Sequence, residues 1–188
     1  MARWEPDTER RLQQAAMELF AERGYAAVTI AEIAERAGLT KRTFFNYFTD
    51  KREVLFAGAQ AFEASVVGHL TESDADLAPI EVAIGALTRA GQELAGYSEF
   101  AAARRQLIAS SSELQERDLN KMTALAAAMA ESLGRRGIPA HIATLAAQAA
   151  VAVFTAAYAA WVEDATADLH ILMQQSLADL RRAVGAPS

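Results

Sequence analysis

The sequence contains no cysteine, and proline and glycine are scarce, with 4 and 10 residues among 188. Without cysteine, the chain can form neither a disulfide framework nor a thiolate metal site. Few prolines and glycines, abundant alanine, and apolar residues that recur at three and four positions predict an all-α protein. A chain of this length can form one or two domains with a sizeable core.

Sequence patterns typical of enzymes are missing as well. His69, His141 and His170 lie far apart and lack the i, i+4 spacing of a metal site on a helix. The chain has no glycine-rich phosphate loop, no Gly-x-Ser-x-Gly elbow and no Cys/His pair. The sequence therefore predicts a protein that is not an enzyme and needs no cofactor or metal.

The charge is unevenly distributed along the chain. Residues 1–52 carry a net charge of +1 and residues 53–188 a net charge of −7, for a total of −6. We predict these ranges to be the two domains. The first is only mildly basic, so its affinity for nucleic acid would rest on the placement of a few cations, and the acidic second part should face away from DNA. The charged N-terminal sequence, MARWEPDTERR, has no apolar run of a secretion signal and predicts a cytoplasmic protein.

The most informative stretch is TIAEIAERAGLTKRTFFNYFTDK, at positions 29–51. Thr29 and Glu32 have the spacing of a capping box at the start of a helix, and Gly38 suits the left-handed position after its end. Thr40 can cap a second short helix. Two short helices joined at a glycine-bearing turn predict a helix-turn-helix, whose second helix can enter the major groove of DNA.

The second of these helices carries the side chains that DNA-binding proteins use on phosphates and base edges. Lys41, Arg42 and Thr43 form its first turn, and Asn46 and Tyr47 follow one turn later. The alternative is an ordinary solvated helix that places two phenylalanines in a core.

The segment closely resembles the DNA-binding region of TetR-family transcriptional regulators. The similarity covers about residues 9–56 and is carried by FAERGY at positions 20–25, Thr29-Ile30, Ala37-Gly38-Leu39, TFFNYF at positions 43–48, and Lys51. The family commonly has tyrosine where Phe45 stands, with its hydroxyl on a phosphate, and phenylalanine cannot make that contact. From motif and resemblance together we predict DNA contacts by Thr29, Thr40, Lys41, Arg42, Thr43, Asn46, Tyr47 and Lys51.

The resemblance also implies an architecture and a set of partners. It implies an N-terminal three-helix domain with the helix-turn-helix, followed by a helical ligand-binding and dimerisation domain, with about nine helices in all. The partners it implies are a palindromic double-stranded DNA operator, a second copy of the chain and a small-molecule effector that releases the repressor. A solid second domain that answers to a protein partner, or to nothing, is the alternative.

Further signals divide the rest of the chain. Asp50 and Glu53 form a second capping box, which predicts a connecting helix from Asp50 to about Leu70 as the sole covalent link between the domains. Gly58 and Gly68 are the positions where this helix would lack side-chain support. Later breaks are predicted at 96–98, at 110–112 and at 134–137, and a frayed end at 185–188.

Residues 137–162 contain no charged side chain and are long enough to span a bilayer. Alanine dominates, polar residues interrupt the stretch and no basic cluster flanks it, so we predict a buried helix and no membrane partner. Small residues would let another helix approach closely, namely Ala143, Ala146, Ala147, Ala150 and Ala157. The resemblance implies that this helix and the last one, at about 168–184, form the homodimer interface; an intramolecular bundle is the alternative.

The second domain offers candidates for a ligand site. An apolar cavity could be lined by Phe100, Met122, Met129, Phe154 and Tyr158, although such residues more often fill a core. Arg104 could meet an anionic group of the ligand. The stretch from Arg104 to Arg117 also resembles one that is frequent in actinobacterial members of the family.

Overall fold

The computed structural model describes residues 6–74, 76–93, 100–164 and 166–185. Over these ranges the chain forms nine α-helices and one short 3-10 helix, with no strand, so the predicted all-α fold is confirmed. The helices are α1 (Pro6–Arg23), α2 (Ile30–Arg36), α3 (Lys41–Tyr47), the 3-10 helix (Glu53–Phe56), α4 (Ala59–Glu72), α5 (Pro79–Glu93), α6 (Ala101–Ala109), α7 (Ser112–Arg135), α8 (Ala140–Glu163) and α9 (Leu169–Ala183). The break predicted at 96–98 and most of the predicted frayed end lie outside the described residues.

The chain forms two compact units. The first combines the chain up to Ala59 with Ala103–Asp118, and the second combines Gln60–Ala102 with the chain from Leu119 onward. Helices α6 and α7 therefore each contribute to both units. The chain passes from one unit to the other three times, so the connection after α3 is not the sole covalent link. The predicted domain boundary between residues 52 and 53 stays a prediction.

The connecting helix predicted from Asp50 is interrupted. The Asp50 carboxylate accepts hydrogen bonds from the backbone N–H groups of Arg52 and Glu53 at 2.8 and 3.2 Å, as a cap should. The helix that follows is only the 3-10 helix, and Gly58 then has φ of +81°, in the left-handed region. Because helical φ is negative, Gly58 ends the 3-10 segment and α4 begins after it. The predicted continuous helix is therefore wrong, although its start signal is correct.

The core of the first unit is built on one apolar face of α1. Leu12, Leu19 and Phe20 of this face are buried, together with Ile33 of α2 and Phe44 of α3. The capped α2 and α3 are too short to be stable alone, so this shared burial holds them in place.

The core of the second unit is one apolar cluster to which α4, α5, α7, α8 and α9 all contribute. Helix α8 packs against both α5 and α9. At Gly91 of α5 the approach is very close, because a Cβ atom there would lie 2.7 Å from Cδ2 of Leu169 and 3.5 Å from Cε2 of Phe154. A larger residue at this position would therefore require the Leu169 side chain to shift.

The alanines of α8 named above point into this cluster. Ala147, Ala150 and Ala157 are all 0% exposed. They do allow close helix packing, but within their own unit, contrary to the expectation that they face a second copy. The exposed side of α8 carries other apolar residues, among them Ile142 and Leu145.

Among the described residues, α8 is the one helix long and apolar enough to cross a membrane by length and composition. Buried residues make up 44% of its most apolar window. A helix that packs on a protein core with one side meets the same criterion, so the finding is weak evidence for a membrane span.

Candidate nucleic-acid interface

The capping box at the start of α2 is present in full. The Thr29 hydroxyl accepts a hydrogen bond from the Glu32 N–H at 3.3 Å, and the Glu32 carboxylate accepts from the Thr29 N–H at 2.8 Å and from its hydroxyl at 2.7 Å. Arg23 lies 2.8 Å from the same carboxylate. The hydrogen bonds from Thr29, and then that from Arg23, lower the pKa of Glu32 to about 2. The start of α2 is therefore fixed by local polar contacts.

The turn between α2 and α3 is fixed by its backbone and by one side chain from α1. Gly38 has φ of +67°, and the N–H groups of Gly38 and Leu39 donate to carbonyls at the end of α2 at 2.9 and 2.8 Å. The Arg11 guanidinium donates to the carbonyl of Ala37 at 2.6 Å. Arg11 thus ties α1 to the turn between α2 and α3.

Lys51, which follows α3 in the chain, holds the loop between α1 and α2 in place. Its ammonium donates to the carbonyls of Tyr25 and Val28 at 2.7 and 2.8 Å and lies 4.2 Å from the centroid of the Tyr25 ring. Burial lowers the pKa of Lys51 and raises the pKa of Tyr25 to about 12. Two of the three N–H groups of Lys51 are therefore used internally, and its predicted phosphate contact rests on the third.

Helix α3 is anchored on one side and open on the other. Phe44 and Phe48 are buried, with ring centroids 5.5 Å apart. The Thr40 hydroxyl accepts from the Thr43 N–H at 3.1 Å, which confirms Thr40 as the cap. The open side presents Lys41, Arg42, Phe45 and Asn46, while Tyr47 is half-buried.

The electrostatics of α3 favour an anionic partner. Lys41 and Arg42 stand in the first turn, where the helix dipole disfavours positive charge, and the helix has no acidic residue. Within the described parts of the chain, neither forms an ion pair. By contrast, Arg23, Arg36 and Arg52 are each paired with carboxylates. Two cations that do not stabilise their own helix are available to phosphates or base edges.

The structure brings most of the predicted DNA-binding residues together. Thr40, Lys41, Arg42, Thr43 and Asn46 lie on or beside the open face of α3. The Thr29 hydroxyl, by contrast, serves the cap of α2. The DNA contacts of all eight residues stay predictions.

The first unit also contains a group of ion pairs that the sequence did not predict. Arg52, just after α3, lies 2.8 Å from the carboxylate of Glu113 in α7. Glu53 of the 3-10 helix accepts from Nε of Arg117 in α7 at 2.6 Å. The partners are 61 and 64 residues apart in sequence, so no local spacing announces them. They join the segment that leaves the helix-turn-helix to the start of α7.

Arg104 of α6 belongs to the same group. Its Nε donates to the carbonyl of Leu55 at 2.6 Å, its Nη2 lies 3.0 Å from the Asp118 carboxylate, and its guanidinium carbon is 5.0 Å from the centroid of the Phe56 ring. All three contacts lie within the first unit. The five other predicted ligand residues belong to the second unit, and the predicted contact of Arg104 with a ligand stays a prediction.

Those five residues are only partly brought together. Met129 and Phe154 are buried in the cluster of the second unit, and Met122 and Tyr158 pack against it half-buried. Phe100 is half-buried and outside this cluster. The structure adds an aromatic row: ring centroids are 5.3 Å apart from Phe62 to Phe154, 5.8 Å from Phe154 to Tyr158 and 5.8 Å from Tyr158 to Trp161.

Curated relatives match the N-terminal part. The chain is 33% identical over 79 residues to the HTH-type transcriptional regulator TcmR of Streptomyces glaucescens, covering 42% of this chain and 35% of TcmR. It is 37% identical over 70 residues to the HTH-type transcriptional activator FasR of Mycolicibacterium smegmatis, covering 36% of this chain and 32% of FasR. Both matches agree with the resemblance to actinobacterial members. In the first four relatives the match spans only 17% to 37% of the relative's length.

Solved structures match over nearly the whole length. A TetR-family transcriptional regulator from Syntrophomonas wolfei superposes with a TM-score of 0.65 at 18% identity, covering 96% of this chain and 97% of the other. FadR from Bacillus subtilis, solved in complex with stearoyl-CoA, superposes with a TM-score of 0.58 at 22% identity, covering 90% and 95%. At such identities these matches show a shared fold.

Family models cover most of the chain in two parts. Residues 12–57 match the model described as bacterial regulatory proteins of the tetR family, and residues 77–185 match the model described as the MftR C-terminal domain. The first contains the whole helix-turn-helix with its free cations. The protein therefore belongs to the TetR family of DNA-binding transcriptional regulators and carries a C-terminal domain of the MftR type.

Proposed function

We propose that this regulator is a cytoplasmic homodimeric repressor that leaves a palindromic operator when a small-molecule ligand with a large apolar part binds in its second unit. The DNA-binding part of the proposal is supported by Lys41 and Arg42, which stand unpaired at the exposed start of α3. A two-fold dimer requires half-sites on one face of the duplex, in steps of about 10 bp. Since the relative FasR is named an activator, the direction of regulation needs its own test.

The dimer interface is proposed on the exposed face of the last two helices. Ile142 and Leu145 of α8 and Ile171 of α9 are 39%, 63% and 50% exposed. An exposed apolar face of this kind marks an interaction surface in a soluble protein. The buried alanines of α8 take no part in it.

The ligand site is proposed beside the aromatic row. Phe154 is buried, whereas Tyr158 and Trp161 are half-buried and can contact an incoming molecule. SmeT, which shares the fold at 21% identity and a TM-score of 0.58, was solved with triclosan, and FadR with stearoyl-CoA. These ligands have large apolar parts, and an aromatic row suits such a partner.

We propose that helix α7 couples ligand binding to DNA affinity. A ligand can change DNA affinity only through its different affinity for two conformations. Helix α7 belongs to both units, and its first turns pair with Arg52 and Glu53 directly behind the helix-turn-helix. A shift of α7 would therefore move these partners. The expectation of a hinge at Gly58 within a continuous connecting helix is abandoned, because the helix is broken there.

The dimer is tested by light scattering on Leu145→Arg beside Leu119→Arg. Both leucines are well exposed, at 63% and 66%, but Leu119 lies on α7 outside the proposed interface. We expect the parent and the Leu119 variant to be dimers and the Leu145 variant to be a folded monomer with weak operator binding. A Leu145 variant that remains a full dimer places the interface elsewhere.

Ligand binding and its coupling to DNA release are tested together, on an operator obtained by selection from random DNA. We expect a long-chain acyl-CoA or another lipophilic compound to raise the melting temperature and to release the labelled operator. Arg117→Ala should still bind the compound but release the operator less well. A transcription assay from the operator then separates a repressor from an activator.

The second candidate is a DNA-binding protein with a solid second unit. It is favoured by Met129, which is 0% exposed, and by the close approach at Gly91. If no lipophilic or anionic compound raises the melting temperature while operator binding is intact, this candidate replaces the ligand-released repressor.

A further inference from the structure

Phe45 is an apolar side chain in an unusual place. Its neighbours Phe44 and Phe48 are buried, whereas Phe45 is 48% exposed on the open face of α3. Its ring meets that of Phe44 edge-on, with 5.7 Å between the centroids. A phenylalanine needed only for the core would be covered, as Phe44 is. Phe45 thus exposes apolar surface on the helix that the DNA-binding family uses to read its operator.

The surroundings of Phe45 are those of a base-reading surface. The ammonium of Lys41, one turn earlier, lies 6.0 Å from the ring centroid. Arg42 and Asn46 are exposed on the same side of the helix. Phe45 therefore stands among cations and an amide that suit phosphates and base edges, and no acidic residue of α3 opposes DNA.

The chemistry of the major groove offers one partner for such a ring. Base edges there present hydrogen-bond donors and acceptors, and thymine alone among the four unmodified bases adds an apolar group, its C5-methyl. A phenyl ring has no donor for a phosphate, so the contact made by a tyrosine hydroxyl is not open to Phe45. We propose that Phe45 reads the C5-methyl group of a thymine in each operator half-site. The proposal rests on DNA binding through α3.

The expected size of the effect follows from the methyl group. Burying one such group is worth about a fourfold change in affinity, and two half-sites give about fifteenfold. This is smaller than the loss of a bidentate base contact, so Phe45 would refine the sequence preference rather than create it.

The test compares thymine with uracil, which differs only by lacking the methyl group. The operator selected from random DNA is made with uracil in place of each thymine in turn, symmetrically in both half-sites. Full-length parent, Phe45→Ala and Leu119→Ala are titrated against each duplex by fluorescence anisotropy. Leu119→Ala is the matched control, because Leu119 is an exposed apolar residue on α7.

At one position we expect uracil to weaken the parent and the Leu119 variant about fifteenfold, and Phe45→Ala to bind the two duplexes alike. If Phe45→Ala weakens binding but keeps the same loss at every uracil, the ring packs on the sugar–phosphate backbone and the proposal is overturned. Unchanged affinity of Phe45→Ala on every duplex also overturns it and leaves the ring for a protein partner. If selection from random DNA yields no sequence that the parent protein binds, the proposed DNA binding through α3 is wrong. This outcome differs from the two above, in which DNA is bound and only the role of Phe45 is wrong.

Discussion

Both units combine an apolar core with cationic side chains that donate to distant backbone carbonyls, but in different proportions. In the first unit, Arg11, Lys51 and Arg104 all make such contacts. In the second unit, Arg136 does so at the carbonyls of Leu70 and Ser73, while aliphatic, aromatic and many alanine side chains fill one apolar cluster. Directional contacts fix a single arrangement, which suits a helix that must fit the DNA groove. Apolar packing tolerates changes that conserve volume, so the cluster of the second unit should accept such substitutions with small losses of stability.

The largest effect is expected from a charge inside the apolar cluster. Ala150→Arg places an unpaired cation at a site that is 0% exposed, and should cost more than about 4 kcal/mol of unfolding free energy. Urea denaturation followed by circular dichroism measures this loss. Ala127→Arg, on the exposed side of α7, is the matched control and should change stability by less than about 0.5 kcal/mol. Equal stability of the two variants would mean that α8 is not packed as described.

A smaller loss is expected from the polar contacts of the first unit. Arg104→Ala removes donors to the Leu55 carbonyl and the Asp118 carboxylate and should cost about 2 kcal/mol. Arg135→Ala breaks only an exposed pair with Glu131 and should cost less than about 0.5 kcal/mol. Thermal melts of both variants give the comparison. If Arg104→Ala keeps its stability but loses ligand binding, Arg104 is a ligand residue and not a clamp.

Two glycine substitutions should have opposite signs. Gly58→Ala forces φ of +81° on an alanine and should destabilise the protein by about 1–2 kcal/mol. Gly68→Ala lies within α4 with no atom within 4 Å of the added Cβ and should stabilise it by about 0.5–1 kcal/mol. Chemical denaturation measures both changes. If Gly58→Ala instead stabilises the protein, the connecting helix is continuous in solution, as the sequence predicts.

The smallest effect is expected on the stability of the protein at acidic pH. Because the folded pKa of Glu32 is about 2, below its ordinary value of 4.5, its contribution to stability is present above pH 4.5 and is lost as the pH falls through 2. NMR titration of the Glu32 carboxyl should give a midpoint near the lower value, and Thr29→Val should raise it. A midpoint near 4.5 in the parent would show that the capping box is not formed in solution.

The helix-turn-helix could be predicted because its signals are local. The caps at Thr29 and Thr40 and the turn at Gly38 each lie within a few residues of the groups they bind. The clamps by Lys51 and Arg104 could not be predicted, because the backbone carbonyls that accept from them lie 23 to 49 residues away. An exposed lysine and a clamping lysine have the same local sequence signal.

The connecting segment and α8 show two other limits. Asp50 caps a 3-10 helix as well as it would cap an α-helix, so the start signal carried no information about length. In α8 the polar residues His141, Thr144, Gln148 and Thr155 recur at spacings of three, four and seven and are all exposed, so they mark the outward side of the helix. The prediction relied on small side chains alone and therefore placed Ala150 and Ala157, which are buried, at the dimer contact.

The left-handed Gly58 has a mechanical consequence for the chain. In a continuous helix, twisting one end turns the other, because each peptide is tied to the next turn by a hydrogen bond. At Gly58 that ladder is interrupted, and the Gly58 N–H donates instead to the carboxylate of Glu9 at 3.3 Å. Helix α7 keeps its ladder over 24 residues, a length of about 36 Å. We therefore expect α7 to transmit a rotation better than the segment at Gly58 does, so a crosslink that blocks rotation at Gly58 should leave the proposed regulation through α7 intact.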